Sequence, residues 1–214
     1  MVVNEEAVKN ILEEVKPATL VAATKYVDVH EIEKLEALGV TIFGENRVQA
    51  FLDKYEKYHG KGKFHMIGTM QTNKVKYIID KVSMIHSVAS ISLIKEIEKQ
   101  ASKHDLIMDV LIQVNIAKEE SKHGFDVSEL DDVFTLLKQC QHINVRGLMM
   151  MAPNIEIEQT SKYFKATQDL LNDLQIKYPD YQLDQLSMGM SNDYKEALKY
   201  GATYIRIGRG LFLD

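Results

Sequence analysis

Short apolar runs alternate with amphipathic stretches along this chain. The first run, Ala18-Thr19-Leu20-Val21-Ala22-Ala23, leads through Thr24 to Lys25 and reads as a buried strand that delivers a lysine to its C-terminal end. Before it, Ala7, Val8, Ile11, Leu12 and Val15 recur at helical spacing behind the capping residue Asn4, and Pro17 ends the helix. After it, Asp28 caps a helix through Ile32, Leu35 and Leu38 that Gly39 closes. Val40 to Phe43 is a second strand ending in Gly44-Glu45-Asn46, followed by a helix from Arg47 to Tyr58. Phe64 to Gly68 is a third strand, and Gln71-Thr72-Asn73-Lys74 opens the next helix. Met84 to Val88, Asp109 to Ile116, Val145 to Met151, Leu183 to Met188 and Ala202 to Gly208 complete the strands. Helices between them span about Ser90 to Lys103, Val127 to Gln139, Glu158 to Tyr178 and Asp193 to Tyr200.

Eight strands alternating with helices predict an α/β fold with a parallel sheet. Eight is the number that closes a (β/α)8 TIM-type barrel, and 214 residues fit that fold. An open doubly wound sheet is the alternative, but it usually uses fewer strands. No eighth outer helix follows Gly208, so the N-terminal helix is expected to cover the gap. Residues 1–214 are expected to form a single domain, since no linker or low-complexity run interrupts them.

Alternation within strands sets the facing. Val21, Ala23 and Lys25 share one side, as do Ile42, Gly44 and Asn46, Leu111, Gln113 and Asn115, and Tyr204, Arg206 and Gly208. The other side of the fifth strand, Val110, Ile112, Val114 and Ile116, is wholly apolar and belongs under helices. The first sets then point into the barrel, with their polar members towards the strand ends where barrel sites lie.

Composition narrows the function classes. With 31 acidic against 26 basic residues the formal charge is -5, which does not suggest a nucleic-acid surface. Cys140 is the only cysteine, so no internal disulfide forms and a reducing, cytoplasmic setting is expected. The opening residues do not read as a signal peptide, and no window approaches ~18 unbroken apolar residues, so no membrane span is expected.

The candidate chemistry sits at strand ends. Two readings fit Lys25: a lysine that ends a strand in water, or one stripped of solvent and freed as a nucleophile towards an aldehyde cofactor. Ser187-Met188-Gly189-Met190-Ser191-Asn192 follows the seventh strand and Arg206-Ile207-Gly208-Arg209-Gly210 ends the eighth, where barrels often hold phosphate. Their glycines and hydroxyls suit phosphate, and the helix after Ser191 would add its dipole; ordinary turn glycines are the alternative. Arg206, alone in an apolar strand, needs an acceptor when buried: a structural ion pair, or a ring nitrogen of a bound cofactor. Asn46 and His65 lie at or near strand ends, with ordinary core hydrogen bonding the favoured role for His65. No histidine spacing suggests a metal site. Lys54, Lys57, Lys61 and Lys63 read as a solvated surface.

Ala23-Thr24-Lys25, Phe43-Gly44-Glu45-Asn46, His65-Met66-Ile67-Gly68 with Gln71-Thr72-Asn73-Lys74, Val114-Asn115 with Ser121-Lys122-His123-Gly124, Arg146-Gly147-Leu148-Met149, Ser187 to Ser191 and Ile205 to Gly208 occur in order. This series resembles the pyridoxal-phosphate homeostasis proteins, the bacterial YggS-like family, over nearly the whole chain. That family is similar to the barrel domain of bacterial alanine racemase without its second, β-rich domain. The resemblance implies pyridoxal 5'-phosphate (PLP) held as a Schiff base on Lys25. It implies phosphate contacts from Ser187, Ser191, Gly208 and Arg209, Arg206 near the pyridine nitrogen, and Asn46 beside the cofactor. Arg209 stands where the family often has a threonine, and Phe64 where it often has a tryptophan.

An arginine facing the pyridine nitrogen disfavours its protonation and weakens PLP as an electron sink. Racemisation also needs acid–base groups on both faces of the substrate carbon, and the residues nominate only Lys25. The expected role is PLP storage or delivery with little or no turnover. The partners are then PLP and the PLP-dependent apo-enzymes that receive it, and the chain is expected to be a monomer. A PLP-dependent amino-acid racemase and a cofactor-free Schiff-base aldolase are the competing readings.

Overall fold

The computed structural model describes residues 1–120 and 123–214. Its elements run β1 (Val2–Val3), α1 (Glu5–Glu14), β2 (Thr19–Ala23), α2 (Val29–Ala37), β3 (Ile42–Glu45), α3 (Val48–Tyr55), β4 (Lys63–Met66) and α4 (Val75–Ile78). They continue with β5 (Met84–Val88), α5 (Ile91–Lys103), β6 (Met108–Gln113), α6 (Leu130–Leu137), β7 (Ile143–Met149), α7 (Ile157–Lys177), β8 (Gln185–Ser187), α8 (Tyr194–Leu198), β9 (Tyr204–Ile207) and β10 (Phe212–Leu213). β2 to β9 form a closed parallel barrel in chain order, with β2 paired to both β3 and β9. The fold is the expected (β/α)8 barrel.

Local chemistry sets the helix starts. The Asn4 side chain accepts from the Ala7 N–H at 3.1 Å, Asp28 from Glu31 at 3.1 Å and Ser90 from Leu93 at 3.2 Å. Gly39 closes α2 at φ +106°, a backbone that suits glycine.

The facing follows the alternation. Val110 and Ile112 of β6 join the core between strands and helices, with Ile205 and Ile207 of β9. Leu111, Met84 and Met149 pack inside the barrel against Tyr204. α1 fills the eighth outer position: Tyr194 of α8 donates to Glu14 on one side, and Leu12 packs against the Gly39 turn after α2 on the other.

Two features depart from expectation. Val2–Val3 pairs antiparallel with Phe212–Leu213, outside the barrel. Two-residue strands carry no readable alternation, and the partners lie at opposite ends of the sequence. Lys54 also leaves the solvated set: its side chain is 12% exposed and bridges to Glu45 at 2.8 Å, because α3 turns that position towards β3. Among the described residues, no helix is long and apolar enough to cross a membrane.

Candidate functional site

The C-terminal ends of the barrel strands surround a cavity of about 750 Å³, within the size of ordinary small-molecule sites. Ala23, Asn46, Gly68, Gln113, Met149 and Arg206 line it from the ends of β2, β3, β4, β6, β7 and β9. This is the end of the barrel where catalytic and binding groups are found in this fold.

Most of the expected residues meet there. Lys25, Asn46, Ser191, Arg206, Gly208 and Arg209 all line the cavity. Lys25 lies two residues past β2, is exposed, and holds its amine 4.6 Å from the centre of the Tyr26 ring. Of the two readings of Lys25, the structure shows the lysine in solvent, because β2 stops at Ala23 and Lys25 belongs to the turn. Asn46 is held by a close approach: a Cβ on Gly68 would lie 2.3 Å from the Asn46 carbonyl oxygen.

Ser187 is the correction. It is fully buried, accepts from Arg206 at 2.5 Å and pairs with His86 at 2.8 Å, and it is not among the cavity's lining residues. Ser187 is an inward position of β8, and its hydroxyl bonds within the barrel interior, away from the cavity. The helix after Ser191 also differs. α8 has only five residues, and the Asp193 carboxylate sits at its start, accepting from the Met190 N–H at 2.7 Å. A helix this short contributes little dipole.

Arg206 is anchored at both ends of its guanidinium. One nitrogen donates to Ser187 and the other to the Met150 carbonyl at 3.1 Å. Burial lowers its pKa to about 10, with the Asp193 charge opposing, so it remains charged at neutral pH. Beyond Ser187, His86 pairs with His65 at 2.9 Å, and Tyr204 packs its ring against both. Burial pushes His65 down to about 3, aided by the Lys63 charge. Burial, then His65 and Arg206, push His86 well below the ordinary range. Both imidazoles are therefore neutral. The neutral His86 ring bridges the two neighbours, with Nδ1 against Ser187 Oγ and Nε2 against His65 Nδ1, so a continuous hydrogen-bonded chain links Arg206 to His65.

Several lining residues were not nominated from the sequence. Gln113 is inward on β6, so alternation alone places it at the site, and its amide reaches the His123 carbonyl at 3.4 Å. His123 lines the cavity through the quoted Ser121-Lys122-His123-Gly124 segment, of which Ser121 and Lys122 lie outside the described residues. Met1, Tyr26, Met151, Ile155 and Ile157 add an exposed apolar rim. Loop positions without periodicity gave no signal for them.

Residues 4–214 match the model of the alanine racemase N-terminal domain family. The chain is 41% identical to the pyridoxal phosphate homeostasis protein of Aquifex aeolicus over 197 residues, covering 91% of this chain and 86% of that one. The chain belongs to the pyridoxal phosphate homeostasis family. Among solved structures of that family is PipY of Synechococcus elongatus PCC7942 with PLP bound. It is 30% identical and superposes with a TM-score of 0.91 over 98% of this chain and 99% of PipY. An alanine racemase from Streptomyces lavendulae shares the fold with a TM-score of 0.78 at 12% identity. There, 98% of this chain covers only 57% of the racemase.

Proposed function

We propose that this protein binds PLP in the barrel-mouth cavity and acts inside the cell as a PLP store or donor, with little turnover. One observation carries the reading: Lys25, the buried Arg206 and the Ser191 and Gly208–Arg209 loops converge on a single cavity. The donor set fits the group, with an amine for an aldehyde, loop N–H and hydroxyl donors for a phosphate, and a fixed guanidinium for a ring nitrogen. In this reading Lys25 Nζ forms the Schiff-base linkage, releasing water. Ser191, Gly208 and Arg209 hold the phosphate, and Asn46 flanks the ring. Ser187 acts one step away by aiming Arg206. The PLP bound to PipY and the names of the curated relatives support the choice of ligand.

Bound PLP would supply an electron sink at its ring, and Arg206 limits that sink. A charged guanidinium donating to the ring nitrogen leaves no room for a proton there. Storage and delivery to apo-enzymes follow better than catalysis. A second reading, a PLP-dependent amino-acid enzyme, draws on His123 and Tyr26, which line the same cavity and could supply a further acid–base group. An α-proton exchange assay separates the two: turnover near ~1 per second or above, lost in His123→Ala, would favour the enzyme.

The deciding test is the visible spectrum of wild type and Lys25→Ala, each incubated with PLP and desalted. A band in wild type that is missing from the variant and abolished by borohydride supports the linkage. No band in folded wild type overturns it.

A further inference from the structure

Thr24, Glu45 and Lys54 form a buried polar cluster on the outer side of the barrel, between β2, β3 and α3. The Thr24 hydroxyl donates to Glu45 Oε1 at 2.5 Å, and Lys54 Nζ donates to the same oxygen at 2.8 Å and to the Thr24 carbonyl at 2.5 Å. The Thr24 N–H adds a bond to the Gly44 carbonyl at 3.0 Å. Glu45 is 1% exposed along its side chain, and its Oε2 has no hydrogen-bond partner among the described residues.

This is a costly way to stabilise a fold. Each buried ion loses several kcal/mol of hydration, and a well-packed apolar replacement is often as stable. The cluster does, however, sit next to two cavity residues in sequence. Thr24 precedes Lys25, and Glu45 precedes Asn46. The Lys25 amine is exposed on a flexible stem, so its placement depends on the backbone at Thr24, which the cluster ties to β3 and α3. We propose that Thr24, Glu45 and Lys54 are positioning residues that set the reach of the Lys25 amine towards the aldehyde of PLP. The proposal rests on the PLP reading above and deepens it.

The test compares two ligands on the full-length protein. PLP reports covalent capture by Lys25 through the visible band. Pyridoxamine 5'-phosphate has no aldehyde and reports binding by the phosphate and ring sites alone. Lys54→Met and Thr24→Val are expected to slow band formation by about tenfold to a hundredfold, the usual effect of misplacing a reacting group. Their affinity for pyridoxamine 5'-phosphate should stay at the wild-type level, and Lys54→Arg should recover part of the rate. Thr24→Val keeps the side-chain shape and decides the matter where Lys54→Met does not fold. Wild-type rates in folded variants overturn the proposal, and so does an equal loss for both ligands, which marks a general structural role. Wild type that forms no band overturns the PLP reading itself, and this inference with it.

Discussion

His65 and His86 are neutral inside the folded barrel and free to charge once it unfolds. Their native pKa values lie below the unfolded value, His65 at about 3, so the unfolded chain binds more protons as pH falls below about 6.5. Stability is therefore retained above that pH and lost progressively down to the native value. At pH 5 His65 should lower stability by about 2 kcal/mol relative to pH 7, with His86 acting in the same direction. Urea unfolding at the two pH values measures this, and His65→Gln should shrink the difference. Gly68→Ala makes a second prediction, because its Cβ would lie 2.6 Å from Asn46 Cα. Moving that backbone should cost about 1–3 kcal/mol and weaken PLP retention, read by desalting and absorbance. The placement of a residue was legible in the sequence where a polar side chain broke an apolar strand, as with Arg206 at the cavity. It was not legible where the partner came from elsewhere. Lys54 looked solvated because nothing in α3 announces Glu45, and Ser187 looked like a phosphate ligand because its histidine partner lies 101 positions away.

Among the elements, the β1–β10 pair also joins the fold to the site. The Val3 N–H donates to the buried Glu31 Oε2 at 2.7 Å, Asn4 N–H to the Leu211 carbonyl at 2.9 Å, and Met1 and Phe212 line the cavity. Glu31→Ala leaves the Val3 donor without its carboxylate, a loss of about 1–3 kcal/mol. The expected result is a melting temperature lower by several degrees and faster release of PLP, followed by thermal melts and by trapping the released cofactor. The eight barrel strands were legible because each buries a continuous apolar face, and the inward faces followed from period-two alternation once β6 was fixed. Element ends were less so: β6 stops at Gln113 rather than Ile116, since the chain beyond it bends into the loop that carries Asn115 and His123.

For the whole molecule, the exposed rim of Met1, Tyr26, Met151, Ile155 and Ile157 bears on assembly. Light scattering should return the mass of one chain with and without PLP; a two-chain mass would mean that the rim is an interface. The barrel closes through β2 and β9, and the two-stranded β1–β10 sheet then brings residue 2 opposite residue 213. That pairing has a practical consequence for handling the protein. A purification tag or fused reporter joined to Met1 or Asp214 emerges beside the cavity rim, whichever end is chosen. Untagged protein is the proper reference for PLP loading, and a reporter inserted in the turn after α5, far along the chain from both ends, avoids crowding the entrance.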